Sequence, residues 1–450
     1  MFKPTDQEPA EVPTTPPEAP KTAKQAGQTP NDRWSWVETA VWTKRMLTAL
    51  DKGVQGGVWF SLMDKVYSLD NLKAAWTSVC ANRGAAGVDH ISVAHYRENV
   101  FENLDRVHEQ LRSGAYVPQD IRRHWIPKPG STEERPLGIP TVRDRIVQTA
   151  LRNVLEPIFE RDFATHSYGF RPQRGCKDGL RRVDELLKAG YVHVVDADLK
   201  SYFDTIPKDR LMDLIRRKVA DGRVLNLIEA FLQQGVLDGM SRWTPEQGTP
   251  QGAVISPLLA NIYLDPLDHA MAEKGYAMVW YADDFVILCR SAEEAARALE
   301  EVQRWVAEAG LTLHPTKTRV VHAEQGFDFL GYHFRGTKHW PRKKSLDKLK
   351  DTIREKTRRT AGKALRRIIV DVNRTLIGWF GYFKHSLKTT FEPLDKWTRM
   401  RLRSILRRRQ GKRGRGRGID HHQWPNAYFA KQGLYSLVAA HARLCQSSSR

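Results

Sequence analysis

Three aspartates sit where short apolar runs end. Residues 191–195 form an apolar, β-branched run that leads into Asp196 and Asp198. Residues 277–281 and 285–289 are two more such runs, and only Ala282, Asp283 and Asp284 lie between them. This pattern predicts a buried strand ending at Asp198 and a hairpin with two acids at its tip. Neighbouring strands lie about 5 Å apart, so acids at their ends can converge. Clustered carboxylates repel and are costly unless a cation sits between them. Oxygen ligands without His or Cys favour Mg²⁺, which keeps waters and takes further ligands from phosphate. Two such ions would activate an attacking hydroxyl and stabilise a leaving oxygen, which is phosphoryl or nucleotidyl transfer. The competing reading is plain turn chemistry, because Asp favours turns. The aspartates alone do not choose between the two.

The surrounding elements have to place those acids. Residues 34–117 read as mainly helical, with breaks at 53–57 and 82–89. From 120 to 140 the chain is punctuated by Pro127, Pro129, Gly130, Pro136, Gly138 and Pro140. That predicts short extended pieces and a hairpin looping at 129–134. Ile146, Ala150, Val154 and Ile158 mark one stripe of a helix over 143–159. Helices over 208–219 and 256–272 fall between the strands, so strands and helices alternate around one sheet. After Gly336 the chain reads as helical. Leu365, Ile368, Val372, Leu376, Trp379 and Phe383 define one apolar face, and Leu394, Trp397, Leu402 and Ile405 a second helix. That spacing favours core burial of Trp379, Tyr382 and Phe383 over stacking on bases. Residues 411–418 alternate glycine with basic residues, a flexible loop.

The charge is asymmetric. The 450 residues carry a formal net charge of +20. Residues 341–418 hold 26 Lys/Arg against 6 Asp/Glu, and the rest of the chain holds 46 of each sign. The whole surplus therefore lies in one late segment, which suits a polyanion such as nucleic acid. A solvated basic helix face is the bland alternative. The cysteines, Cys80, Cys176, Cys289 and Cys445, form no CxxC pair, so neither a disulfide framework nor a zinc module is expected. No apolar run approaches membrane-spanning length. The first 30 residues hold seven prolines, four acids and no arginine. They read as a disordered extension and not as a targeting sequence.

With these features in place, Tyr281-Ala-Asp-Asp284 resembles the YxDD box of reverse transcriptases. Asp198-Leu-Lys-Ser-Tyr-Phe-Asp204 is similar to the first metal-binding motif of the polymerase palm. Gly248-Thr-Pro-Gln-Gly252 with Ile255-Ser-Pro-Leu-Leu-Ala-Asn261 resembles the motif beside nucleotide and template. Leu311-Thr-Leu-His-Pro-Thr-Lys317 and Phe329-Leu-Gly-Tyr332 resemble the two later palm motifs. Upstream, Ile126-Pro-Lys-Pro and Arg135-Pro-Leu-Gly-Ile-Pro140 are similar to the fingers. Tyr168-Gly-Phe-Arg-Pro172, Gly87-Val-Asp89 and Ile377-Gly-Trp-Phe-Gly-Tyr382 point to the group II intron-encoded reverse transcriptases, or maturases, of bacterial type. The resemblance covers roughly residues 60–440, with several motifs in fixed order. Many members end in a His-Asn-His endonuclease domain. The end of this chain, around residues 424–437, resembles the form without it.

The resemblance implies an α+β right-hand polymerase fold followed by an all-helical thumb, or X domain. The expected layout is an extension at 1–30, N-terminal helices and fingers at 31–190, and a palm at 191–335. A basic helical thumb at 336–410 and a basic tail at 411–450 follow. Asp198 and Asp283 would hold two Mg²⁺ ions, with Asp284 supporting them and the Leu199 carbonyl as a further ligand. Phe203 would pack under the deoxyribose and exclude a 2′-hydroxyl, and Gln251 would touch the incoming nucleotide. Lys128 and Arg135 would grip its triphosphate, and Lys317 would donate a proton to leaving pyrophosphate. Phe203 also has a plainer reading as core, and Lys128, Arg135 and Lys317 as solvated surface charges. Lys343, Lys344, Arg366, Arg367, Arg407, Arg408 and Arg409 are the expected nucleic-acid contacts. The implied function is RNA-directed DNA synthesis and splicing assistance in a cytoplasmic ribonucleoprotein. Its partners would be group II intron RNA, an RNA template with DNA primer, target DNA and dNTPs. A non-intron reverse transcriptase and a splicing-only RNA-binding maturase remain as alternatives.

Overall fold

The computed structural model describes residues 33–127, 134–360, 362–416 and 418–448. The extension at 1–30, Lys128 and most of the loop at 129–134 lie outside them. The chain divides into two compact units, residues 1–321 and 322–450.

The first unit begins with helices. Leu69–Asn82 buries Leu72, Ala75 and Val79, and Val100–Ser113 buries Leu104, Val107 and Leu111. Both sets follow the three-and-four spacing of a single apolar stripe. Leu69–Asn82 packs on both Val100–Ser113 and Val142–Glu160; the last is buried nearly all round and is capped by Thr141, whose hydroxyl accepts from the Asp144 N–H at 3.1 Å. A four-stranded sheet follows. It comprises β1 (Ile121–Pro127), β2 (Glu134–Ile139), β4 (Val236–Asp238) and β5 (Ser241–Trp243), in the order β2-β1-β4-β5. β1 and β2 are antiparallel, as the proline and glycine punctuation predicted, while β4 joins β1 in parallel.

The second sheet carries the acids. It contains β3 (His193–Asp198), β6 (Ala277–Tyr281), β7 (Asp284–Cys289) and β8 (Arg319–His322), ordered β6-β7-β3-β8. β3 pairs antiparallel with β7, and β6 antiparallel with β7. The alternation of strands and helices therefore does not build a parallel sheet, and the class is α+β. Helices Cys176–Lys188, Ser256–Glu273 and Ala292–Glu308 pack on it. Both faces are covered, which explains why β6 and β7 read as unbroken apolar runs. The strand expected over 191–195 runs instead over 193–198. Asp196 is tolerated inside it because Arg319 of β8 pairs with it at 3.1 Å.

The second unit is not all helical. β9 (Phe327–Phe329), β10 (Tyr332–Arg335) and β11 (Lys338–Pro341) form an antiparallel meander. β11 lies beyond Gly336, where helix was expected. Gly336 has φ +55° and turns the chain so that Lys338 pairs with Arg335. Phe327, Phe329, Tyr332 and Phe334 are buried here, and the Tyr332 ring centre lies 4.9 Å from that of Phe383. Helices Lys343–Lys356, Leu365–Phe383 and Phe391–Arg409 form the rest of the core with Leu437–Ser448. Trp379 and Phe383 pack on one another at 4.8 Å, and the Tyr382 hydroxyl donates to the Leu330 carbonyl at 2.7 Å. All three serve packing. Among the described residues no helix is long and apolar enough to cross a membrane.

Candidate polymerase active site

The end of β3 and the β6–β7 turn meet at one edge. Asp198 lies opposite Asp284, and Asp284 lies opposite Tyr281. Directly opposed residues project from the same face, and like charges so placed repel. Asp283 sits in the turn after Ala282, which is held at φ +61°. Its carbonyl accepts from the Leu199 N–H at 3.3 Å, and the Asp198 carbonyl accepts from His314 N–H at 2.7 Å. Leu199 also bridges to Leu313. The motif at 311–317 thus clamps the end of β3 from the other side. Its Lys317 ammonium pairs with the Asp198 carboxylate.

The Tyr-Gly-Phe-Arg-Pro segment supports the turn. The Tyr168 N–H donates to the Trp280 carbonyl at 2.9 Å, and a Cβ on Gly169 would overlap the Ala282 backbone nitrogen. The Gly169 carbonyl in turn accepts from Asn261 at 2.9 Å. Arg171 is buried and anchored to Glu160 at 2.7 Å.

Of the residues expected around the nucleotide, Phe203 and Gln251 meet at the Gly248–Gly252 loop. The Phe203 carbonyl accepts from Thr249 N–H at 2.7 Å, and Gly248 N–H donates to Ile206 at 2.8 Å. Gly248 has φ +88°, and a Cβ there would meet the Phe203 carbonyl oxygen and Asp204 Cα. The Gln251 carbonyl accepts from Gly138 of β2 at 2.5 Å. The loop therefore ties β2 to the segment after Asp198. Phe203 is half-buried, with its ring 6.2 Å from Phe170 and 5.6 Å from Tyr202. The Gln251 side chain donates to Asp204 at 3.0 Å. Arg135 is exposed on β2; burial raises the Asp204 carboxyl above its ordinary range, and the charges of Arg123 and Arg135 draw it only partly back. Lys128 is outside the described residues.

The acids suit a hard cation. Burial holds the Asp283 carboxyl above its ordinary range, and the negative charge of Asp198 pushes it the same way. A bound cation would relieve both effects. Among the described residues no three His, Cys, Asp or Glu side chains assemble a complete metal cage. Mg²⁺ does not need one, because it keeps waters and takes phosphate oxygens. Asp198, Asp283 and Asp284, with the Leu199 carbonyl, are the groups that would hold it.

In the second unit Lys343, Lys344, Arg366, Arg367, Arg408 and Arg409 are exposed. Arg367 approaches Asp371 at 3.8 Å, and Arg409 donates to the Lys363 carbonyl. Arg407 departs from the expectation. Its guanidinium pairs at 2.8 Å with Asp420, which is fully buried, and donates to the Arg413 carbonyl at 2.9 Å. It is committed to a carboxylate inside the protein.

Known proteins align over the same segments. Residues 126–334 match the family "Reverse transcriptase (RNA-dependent DNA polymerase)", and residues 346–424 match "Group II intron, maturase-specific domain". Protein YkfC of Escherichia coli K12 is 36% identical over 286 residues, covering 55% of this chain and 74% of YkfC. The group II intron-encoded protein LtrA of Lactococcus lactis is 39% identical over 196 residues, 43% of this chain and 32% of LtrA. The chain belongs to the group II intron reverse transcriptase/maturase family. It carries that family's RNA-directed DNA polymerase domain, and its alignment spans about a third of LtrA. Reverse transcriptases use a divalent metal ion, typically Mg²⁺.

The family motifs led to most of these side chains, but the roles of four residues escaped the sequence reading. Asp204 stood in the quoted motif without a role, and its bond to Gln251 appears only in the fold. Asn261 and Gly169 support the catalytic turn, and only their contact reveals it. Phe170 is 45% exposed and also lies 6.4 Å from Tyr281, so Phe203 is one wall of an aromatic group at the site. Phe203→Val should raise the ratio of ribonucleotide to deoxyribonucleotide incorporation roughly tenfold or more. An unchanged ratio in single-nucleotide addition would make Phe203 a packing residue only.

Proposed function

We propose that this protein binds a group II intron RNA, assists its splicing, and copies it into DNA during intron mobility. The observation that carries this reading is the meeting of Asp198, Asp283 and Asp284 at one sheet edge, in a chain whose maturase-specific domain holds the charge surplus. Two Mg²⁺ ions would supply activation of the primer 3′-hydroxyl and charge neutralisation at the leaving pyrophosphate. Asp198 and Asp283 would hold them, with Asp284 in support and the Leu199 carbonyl as a further ligand. Lys128 and Arg135 grip the triphosphate, the arginine as a fork and the lysine as a point charge. Phe203 lies under the sugar and excludes a 2′-hydroxyl. Gln251 turns from Asp204 to the nucleotide. Lys317 leaves Asp198 and donates a proton to pyrophosphate. The partners are intron RNA, an RNA template with DNA primer, dNTPs and target DNA, in a cytoplasmic ribonucleoprotein.

Primer extension on poly(rA) with oligo(dT) tests the polymerase half. Synthesis should require Mg²⁺ and vanish with chelator. RNA binding without any synthesis would leave a splicing-only maturase. A salt series tests the RNA-binding half. Replacing Lys343, Lys344 and Arg366 with alanine should flatten the log–log salt dependence of intron RNA affinity by about one to three units, near one for each phosphate no longer neutralised. An unchanged slope would place these residues on a merely solvated face.

A further inference from the structure

Phe170 stands beside the polymerase site in a conformation that its own residue type resists. Its φ is +55°, a left-handed backbone that a bulky side chain rarely adopts. Contacts on both sides hold it there. Tyr168 N–H donates to the Trp280 carbonyl at 2.9 Å, and Trp280 N–H donates to the His166 carbonyl at 3.2 Å. The Gly169 carbonyl accepts from Asn261 at 2.9 Å, and a Cβ on Gly169 would overlap the Ala282 backbone. Arg171 is 6% exposed and bonds to Glu160 at 2.7 Å and to the Ser167 carbonyl at 2.9 Å. Strain of this kind persists only where the surroundings impose it, and it gathers at functional sites.

The outcome is an aromatic ring that the fold leaves 45% exposed, so burial is not what it is held for. Its neighbours are specific. Phe203 lies 6.2 Å away at 78°, edge to face, and Tyr281 lies 6.4 Å away at 39°. Edge-to-face rings at this spacing attract one another beyond the area they bury. Half-buried Phe203 also meets Tyr202, which is buried and 5.6 Å away. Phe203 therefore has one aromatic neighbour fixed in the core and one brought in from a distant loop. A ring that excludes a hydroxyl by its bulk works only if it cannot swing aside. Slack of about 1 Å is enough to cost a site its precision.

We propose that Phe170 is a positioning residue for sugar selection: its ring braces that of Phe203 and keeps it where a 2′-hydroxyl would otherwise sit. The inference rests on the reading of Phe203 as the residue that excludes that hydroxyl, and deepens it. Phe170 acts through Phe203 and not on the sugar. The brace also links the gate to the acid-bearing turn, because Phe170 adjoins Tyr281 and its neighbour Gly169 abuts Ala282. Removing the Phe170 ring loosens selection, and it adds nothing once the Phe203 ring is gone.

The test is single-nucleotide addition by the full chain on an RNA template with a DNA primer, comparing the matching dNTP and rNTP. Wild type, Phe170→Ala, Phe203→Val and the double variant are measured. Phe170→Ala should raise the rNTP-to-dNTP ratio of kcat/KM by about fivefold to tenfold, mainly by lowering KM for the ribonucleotide. Added to Phe203→Val it should change the ratio little, because the ring it braces is gone. Phe170→Tyr keeps a ring and should restore the wild-type ratio. A plain packing role would lower kcat with both sugars and leave the ratio where it was. That outcome, or a double variant whose ratio is the product of the two single effects, would overturn the proposal. If Phe203→Val itself leaves the ratio unchanged, the gate reading fails and the brace fails with it. A raised ratio in Phe203→Val beside an unchanged one in Phe170→Ala refutes the brace alone. Should Phe170→Ala not fold, Phe170→Asn takes its place, since asparagine tolerates the left-handed backbone. It should raise the ratio as far, and an unchanged ratio counts against the brace.

Discussion

Asp283→Asn should leave a folded protein that binds RNA and synthesises no DNA. The amide preserves the turn, because the bond that Asp283 makes to Leu199 runs through its backbone carbonyl. It cannot replace a charged oxygen ligand. Metal stabilisation of transferring phosphoryl oxygens contributes several kcal/mol, so primer extension should fall by about a thousandfold or more. Asp198→Asn should behave alike. Thermal stability without metal should stay equal or rise slightly, since removing one charge relieves the repulsion between Asp198 and Asp283. Wild type should gain stability on adding Mg²⁺, and the variant should gain less. Intron RNA binding and splicing should persist, because they need surface and not these acids. Full polymerisation by either variant would remove the aspartates from the metal site. Loss of splicing by a folded variant would show that the two activities are not separable.

Arg407→Ala should cost the second unit about 3–5 kcal/mol of stability, while its neighbour Arg408→Ala should cost almost none. Arg407 neutralises Asp420, which is fully buried. Removing Arg407 strips a fully buried carboxylate of a close cationic partner, and breaking a buried pair from one side is among the most destabilising single changes. Arg408 is exposed, and its loss should appear only as a shallower salt dependence of RNA affinity. Chemical denaturation followed by far-UV circular dichroism separates the two. Equal, small losses from both variants would return Arg407 to the RNA-facing set. A triple charge reversal across residues 407–409 mixes these effects and would report unfolding as weakened binding.

Several features were settled by local chemistry. The apolar runs at 277–281 and 285–289, with three residues between them, permit little except a hairpin, and β6 and β7 are that hairpin. The stripe from Leu365 to Phe383 is one helix for a similar reason. Motif order links Asp198, Asp283 and Asp284, and Asp198 and Asp284 lie opposite one another in the sheet with Asp283 in the adjoining turn. The charge surplus of residues 341–418 is likewise a property of the sequence by itself.

Other features depend on contacts between residues far apart in the chain. Periodicity cannot reveal strand direction, so the antiparallel pairing of β3 with β7 came only with the fold. Nor does it reveal that Asp196 can stay in a strand, because the cation that permits it, Arg319, lies 123 residues away. The run Arg407, Arg408, Arg409 looks uniform in sequence, yet a buried acid 13 residues on claims only the first. Gly169 supports the Asp283 turn through its close approach to Ala282, and Asn261 through its bond to the Gly169 carbonyl, neither of which a local pattern encodes. The sequence by itself determined which residue types gather at the candidate site and where the charge surplus lies. The tertiary structure decided which charges are free to act and which are already spent, because burial and pairing depend on neighbours that the chain brings together only when it folds.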